Sequence, residues 1–146
     1  MSRLFRLSLT LAAVMLPPRL AAQANADPES AAIVATARNY IDGFLTGDTT
    51  RMRSALRPEL AKRQMMGGDR APTNMTDDIL VQNTSRMPFN PSAAKTPADS
   101  ITIYRHEGDM ALVRIGAPTW VDYLQLGKFG SEWKIVNVLW QMRPRS

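Results

Sequence analysis

The spacing of apolar residues predicts a long helix followed closely by a second one. Residues 27–29 are Asp-Pro-Glu, a typical helix start, because an aspartate side chain caps free amide groups and proline fits the first turn. Gly47 is a typical stop, and Asp48 can cap a second helix, which Pro58 interrupts before a short turn through Leu60. One apolar stripe of the first helix is formed by Ile33, Ala37, Tyr40, Ile41 and Phe44.

The middle of the chain combines loops with one short helix. Residues 64–75 are rich in glycine and polar residues and predict a loop, after which Thr76 begins a short helix that runs to about Thr84. Residues 87–98 contain Pro88, Pro91 and Pro97, so we expect no regular secondary structure there. This segment separates a helical half of the chain from a half with strand patterns.

Alternating apolar and polar residues predict four strands in the second half. Residues 101–104 and 111–115 lie on either side of a Glu-Gly-Asp turn and therefore form a hairpin. A third strand covers about residues 120–128, and a fourth covers residues 133–142 after a turn at Gly130. Helices followed by an antiparallel meander predict an α+β fold in which one sheet curls over a helical layer.

The amino terminus has the pattern of an export signal. Two arginines precede an uncharged apolar run, residues 7–16, that ends at two prolines. This run is about half of the roughly 20 residues that a membrane helix needs, so we expect no stable membrane anchor. Small residues at alternate positions allow cleavage after Ala24 or Ala26, and we favour Ala24. The sequence thus predicts a signal peptide over 1–24, a single domain over 25–146, and a periplasmic or secreted protein.

Composition excludes several classes of function. The chain has 18 Lys and Arg against 13 Asp and Glu, and loss of residues 1–24 with three arginines leaves 15 against 13, a net charge of +2. This balance is too mild to predict nucleic-acid binding. With no cysteine and one histidine, the sequence excludes thiol catalysis and any classical zinc site. We expect no cofactor.

Four sequence segments resemble one known family. The segments are Asn39-Tyr40-Ile41-Asp42-Gly43, Gly47-Asp48 leading to Arg57-Pro58-Glu59-Leu60, Trp120-Val121-Asp122-Tyr123-Leu124, and Lys128 to Gly130 followed by Trp133-Lys134-Ile135-Val136-Asn137. In this order they resemble the putative lumazine-binding family, which belongs to the cone-shaped nuclear transport factor 2-like superfamily together with ketosteroid isomerases and polyketide cyclases. The resemblance runs from about Ser30 to Met142 and implies a cone of helices in a curled antiparallel sheet. It implies no single function, because this fold serves catalysts and binding proteins alike.

The chain departs from the family pattern at one position. The family usually has His-Pro-Glu-Leu where this chain has Arg57-Pro58-Glu59-Leu60. An arginine cannot exchange protons at neutral pH, so a role of that histidine as acid or base is not inherited. A role in holding an anion could survive.

Strand alternation places two polar groups among apolar neighbours. Strict alternation on the last strand puts Asn137 on the same face as Trp133, and on the third strand it puts Asp122 on the same face as Trp120 and Leu124. In the related cones this face meets the helices. A buried carboxylate is costly unless it is paired, so Asp122 is a candidate for acid or base chemistry. The alternative is a purely structural Asp122 that bonds a backbone amide or pairs with Arg57 or Arg114.

We therefore expect a cavity between the helices and the sheet, and two hypotheses for its function remain open. The expected lining is Tyr40, Phe44, Met52, Leu56, Arg57, Trp120, Asp122, Leu124, Trp133 and Asn137. In the first hypothesis the cavity holds a small, partly planar organic molecule without catalysis, and the family's name suggests a pterin or lumazine-like compound. In the second, an isomerase, cyclase or dehydratase uses Asp122 as acid or base, and Asn137 or Tyr40 polarises a carbonyl group.

Three further expectations concern the surface. Val136, Val138 and Trp140, with Val121 and Tyr123, form an apolar outer face that predicts a homodimer. His106 is expected to be a solvated turn residue. The basic side chains between residues 51 and 63 are interpreted as a solvated helix surface, with binding of an anion as the alternative. They are Arg51, Arg53, Arg57, Lys62 and Arg63.

Overall fold

A computed structural model describes residues 27–87 and 100–144 of the chain. The elements are, in chain order, α1 (Pro28–Thr46), α2 (Thr49–Ala55), β1 (Leu56–Gln64), β2 (Thr73–Met75), α3 (Asp77–Ser85), β3 (Ile101–Glu107), β4 (Met110–Gly116), β5 (Trp120–Phe129) and β6 (Glu132–Met142). The predicted signal peptide and most of the proline-containing segment lie outside the described residues.

The three helices begin and end close to the predicted residues. Asp48 caps α2, since its Oδ1 accepts the backbone N–H groups of Thr50 and Arg51 at 3.0 Å each. Gly47 ends α1 in the left-handed region at φ 70°, which glycine adopts without strain. The predicted side-chain cap at Asp27 is wrong, because the Asp27 carboxylate accepts a hydrogen bond from the Ser30 hydroxyl and none from a backbone N–H of α1.

All six strands belong to one mixed sheet in the order β2-β1-β6-β5-β4-β3. The predicted antiparallel meander of β3 to β6 is confirmed. The turn predicted after Pro58 is wrong, because the chain leaves α2 at Ala55 and continues as β1, which pairs in parallel with β6. The loop predicted over residues 64–75 also contains the short strand β2. Helices packed in a curled sheet confirm the predicted α+β class.

Two bulges change which side chains face α1. On β6, Ile135 pairs with Leu126 and Asn137 with Gln125, so Val136 is an extra residue and the alternation is reversed beyond it. On β3 the register shifts in the same way between Ile103 and Arg105. The face that strict alternation predicts for the carboxyl half of β6 is therefore wrong.

The core lies between α1 and the concave face of the sheet. Its apolar members with almost no exposure to solvent include Ile33, Ile41, Val113, Leu124 and Ile135. The outer face differs from the predicted one, because Val138 is buried in the core and Trp140 packs against it from the concave side. The side chains that do face outward include Tyr104, Leu112, Tyr123, Asn137 and Leu139.

Candidate functional site

A cavity of about 460 Å³ lies between α1, α3 and the concave side of β1, β5 and β6. Most of its lining is apolar or aromatic, and four of these side chains are Phe44, Leu80, Trp120 and Trp140. Its polar lining comes from Tyr40, Lys62, Asn83, Thr119 and Asp122. A largely apolar cavity with a few converging polar groups is the usual form of a small-molecule site.

Asp122 lies at the centre of the polar group and has no exposed surface. Its Oδ1 accepts hydrogen bonds from Lys62 Nζ at 3.0 Å and from the Tyr40 hydroxyl at 3.3 Å. Its Oδ2 accepts a hydrogen bond from the indole Nε1 of Trp120 at 2.9 Å. Both carboxylate oxygens are thus engaged, and the cost of burying the charge is offset by a paired cation and two neutral donors.

Lys62 reaches this carboxylate from β1, on the other side of β6. It lies on β1 opposite Val138 of β6, and 8% of its side chain is exposed. Burial lowers the pKa of Lys62 below its usual value, and the negative charge of Asp122 offsets only part of that effect. Its Nζ also donates to the Tyr40 hydroxyl and lies 4.9 Å from the centre of the Trp140 ring.

Tyr40 completes the group from the side of α1. Its hydroxyl accepts a hydrogen bond from Lys62 and donates one to Asp122. Burial, reinforced by the charge of Asp122, raises the pKa of Tyr40 well above its usual value. The phenol is therefore a permanent neutral donor at physiological pH.

Four of the predicted site residues are brought together in this cavity: Tyr40, Phe44, Trp120 and Asp122. The rings of Phe44 and Trp120 meet edge to face with centroids 6.3 Å apart and form one wall. Met52, Leu56 and Leu124 do not line the cavity but belong to the hydrophobic core. Trp133 is also in the core, and its indole N–H is bonded to Glu29.

Two predicted polar contacts lie elsewhere. Asn137 is on the outer face and donates a hydrogen bond to Gln125 at 3.0 Å, because the bulge at Val136 turns it away from the helices. Arg57 pairs with Glu59 and lies 4.3 Å from the centre of the Phe129 ring. The charged partner of Asp122 is Lys62, rather than Arg57 or Arg114.

The cavity residues that the sequence analysis missed include Lys62 and Trp140. Lys62 was assigned to a solvated helix surface because its neighbours are charged, and only the parallel pairing of β1 with β6 turns it inward. Trp140 was placed on the outer face by strict alternation. The signal that could have found Lys62 is its i+2 spacing from Leu60, which continues an inward-facing strand pattern.

His106 is not the solvated turn residue that the sequence suggested. Its ring packs edge to face against Trp133 with centroids 5.3 Å apart, and its Nδ1 lies 3.8 Å from Asp27. The bulge between Ile103 and Arg105 directs this side chain toward α1. His106 nevertheless does not line the cavity.

A second depression, of about 600 Å³, lies between α2 and α3. Hydroxyl, amide and charged side chains line most of it, and its one arginine, Arg53, already pairs with Asp77 and Asp78. It is open to solvent and contains no buried polar group. The cavity beside Asp122 is therefore the better candidate for a specific site.

Residues 27–87 and 100–144 contain neither a metal-binding cluster nor a membrane-spanning helix. Within these ranges no group of three or more His, Cys, Asp or Glu side chains could hold a metal ion. No helix in the same ranges is long and apolar enough to cross a membrane.

Solved structures with the same fold are nuclear transport factor 2-like proteins. One from Shewanella baltica, of unknown function, has a TM-score of 0.63 and 22% identity, over 80% of this chain and 95% of that one. One from Methylobacillus flagellatus, also of unknown function, has a TM-score of 0.60 and 19% identity. The similarity covers 80% of this chain and 93% of that one. A ketosteroid isomerase-like protein from Erwinia carotovora has a TM-score of 0.53 and 13% identity. The similarity covers 82% of this chain and 99% of that one. These similarities define the fold class.

The sequence profile described as "Putative lumazine-binding" matches residues 28–141. The chain belongs to this family, as its sequence segments suggested. Among proteins of curated function, the sequence comparison finds no match.

Proposed function

We propose that this protein is an exported, non-catalytic binding protein that holds a small, planar organic molecule in the cavity beside Asp122. The observation that carries the proposal is a buried Lys62–Asp122 pair at an otherwise largely apolar cavity. A buried ion pair adds little to stability compared with apolar residues of similar size. Its position beside an aromatic wall therefore favours a role in recognition.

The family's name and the aromatic side chains of the lining both favour a planar ligand. The rings of Phe44, Trp120 and Trp140 offer faces and edges to a planar molecule, and the Tyr40 and Lys62 side chains offer hydrogen-bond donors. A pterin or lumazine-like compound has both an aromatic face and carbonyl oxygens. We take lumazine itself as the first probe.

The catalytic alternative has weaker support. In that hypothesis Asp122 acts as acid or base on a carbonyl compound, assisted by Asn137 or Tyr40. Asn137 lies on the outer face, and both oxygens of Asp122 already accept hydrogen bonds from Lys62, Tyr40 and Trp120. A substrate would have to compete with these three donors for the carboxylate oxygens.

Two measurements test the proposed function. Mass spectrometry of molecules that copurify with the protein from its native compartment should find an aromatic compound at near-stoichiometric amount. Titration with lumazine should quench tryptophan fluorescence, because Trp120 and Trp140 line the cavity.

Trp140→Leu should weaken binding about 5- to 50-fold through loss of aromatic contact. The matched control is Trp133→Phe, outside the cavity, which should leave affinity unchanged. Equal affinity in both variants would contradict this site.

Export and self-association are further parts of the proposal. Export is supported by the basic start and short apolar run of residues 1–24. A homodimer through the outer face of the sheet is supported by exposed apolar side chains, of which Tyr123 was predicted and Tyr104 and Leu139 were not. Tyr104 and Tyr123 stack with centroids 6.2 Å apart, and Leu139 is 46% exposed beside them on the same face.

A further inference from the structure

The only charged side chains among the described lining residues are Lys62 and Asp122. Their charges are opposite and 3.0 Å apart, so beyond direct contact with either group their potentials largely cancel and the cavity has no net charge. An anionic ligand would lose its hydration on entry and would gain little net attraction in return. The same reasoning applies to a cation.

The hydrogen bonds within the Lys62–Asp122 pair leave one N–H donor of Lys62 available to a ligand. An ammonium group has three protons, and in the described part of the chain Lys62 Nζ has two acceptors, Tyr40 Oη and Asp122 Oδ1. The Asp122 oxygens are both engaged and offer little to a ligand. The cavity is therefore suited to an uncharged molecule that presents a hydrogen-bond acceptor, such as a carbonyl oxygen, to Lys62.

We infer that Asp122 is the residue that determines ligand charge: by neutralising Lys62 it makes the cavity select neutral planar molecules and reject carboxylates and sulfonates. This inference rests on the proposed ligand-binding function and specifies its ligand class. It assigns Asp122 a role in specificity rather than in proton transfer. Removing its charge leaves the protonated form of Lys62 without a counter-charge, so that the same cavity favours anions at any pH at which Lys62 is protonated.

Two fluorescent probes with one ring skeleton test this inference. N-phenyl-1-naphthylamine is neutral, and 8-anilinonaphthalene-1-sulfonate differs from it by a sulfonate group. Both become brighter in apolar cavities. The measurement is the ratio of their dissociation constants between about pH 5 and pH 8, because burial lowers the pKa of Lys62 and only its protonated form attracts a sulfonate. Wild-type protein should bind the neutral probe at least about tenfold more tightly.

Two single variants and their combination remove the charges of Asp122 and Lys62 one at a time and then together; we call this set the charge cycle. Asp122→Asn should shift the ratio toward the sulfonate by about tenfold or more, because Lys62 loses its counter-charge. Lys62→Met should shift it in the opposite direction, and it keeps the test valid if Asp122→Asn does not fold. The double variant, neutral at both positions, should restore the wild-type ratio. Asp109→Asn, in an exposed turn away from the cavity, is the matched control and should not change it.

The outcomes separate this inference from the proposed function. A ratio that stays constant across the charge cycle overturns the role of Asp122 while leaving a binding cavity in place. Binding of neither probe, or binding that persists unchanged when Asn83→Trp fills the cavity, overturns the proposed function itself. A ratio that changes only in Asp122→Asn and Lys62→Met, and in opposite directions, supports the inference.

Discussion

Glu29 in the first turn of α1 accepts a hydrogen bond from the indole Nε1 of Trp133 at 2.8 Å, 104 positions later in the chain. Its other oxygen accepts from Lys128 at 2.6 Å. One carboxylate thus ties the start of α1 to the hairpin between β5 and β6. The hydrogen bond from Lys128, followed by that from Trp133, lowers the pKa of Glu29.

The lowered pKa of Glu29 predicts a pH-dependent contribution to stability. A carboxyl group whose folded pKa is depressed stabilises the fold above its unfolded pKa, and that stabilisation is lost as pH falls through the folded pKa. Glu29→Gln should therefore lower the melting temperature at neutral pH, and the difference from wild type should shrink below about pH 4. Glu107→Gln, on an exposed pair with Arg105, should show no such trend. A difference for Glu29→Gln that is constant with pH would contradict this prediction.

Gly43 is required by the close approach of α1 and α2. A Cβ at this position would lie 2.8 Å from the backbone nitrogen of Met52 and 3.1 Å from the carbonyl oxygen of Asp48. Alanine usually stabilises a helix interior relative to glycine, but here we expect Gly43→Ala to destabilise by about 1–3 kcal/mol, as overpacking does. Denaturant unfolding measures the change. In Gly127→Ala the new methyl group meets the half-exposed Phe129 ring, which can move, so a smaller loss is expected. Equal losses would refute the argument.

Leu124 distinguishes the core from the cavity. It has no exposed surface and contributes to the core rather than to the cavity lining. Leu124→Ala should lower the free energy of unfolding by about 2–5 kcal/mol and leave lumazine affinity unchanged in the folded fraction. Phe44→Leu, a residue of the aromatic wall, should reverse this pattern, with a smaller stability loss and weaker binding. Calorimetric unfolding together with titration checks both variants.

The export proposal predicts a defined amino terminus. If residues 1–24 are removed by a peptidase that requires small side chains at alternate positions, the exported protein begins at Asn25, and cleavage after Ala26 would give Asp27. Intact-mass measurement of the protein from the periplasm or medium determines which. Recovery of a membrane-bound species that retains Met1 would rule out cleavage.

The dimer proposal predicts that one charge on the outer face abolishes association. Leu139 lies beside Tyr123 on this face, so Leu139→Glu should convert a dimer to a monomer in light scattering at micromolar concentration. Glu132→Lys, at the far end of β6, is the control and should remain dimeric. Monomeric wild-type protein would end the proposal and would mean that the exposed apolar side chains are simply tolerated.

Most of the fold could be predicted from sequence, but only four of the residues that line the cavity, Tyr40, Phe44, Trp120 and Asp122. The helix starts and stops depend on local chemistry at residues such as Asp48 and Gly47, and local patterns report it directly. The bulge at Val136 leaves no comparable signal in the sequence. Because of it, Trp140 faces the concave side, where strict alternation would have placed Asn137. Lys62 was missed for a related reason, because its burial depends on a parallel pairing with a strand distant in sequence.

The parallel pairing of β1 with β6 also determines when the site can exist. Lys62 and Asp122 lie on strands that flank β6, which is the last strand among the described residues. A nascent chain that has emerged only as far as Gly130 already contains both charged residues but has no strand to hold them side by side. Long-range pairing of this kind slows folding and occurs late. Under the proposed function, the ligand is therefore captured only after β6 has paired with both of these strands.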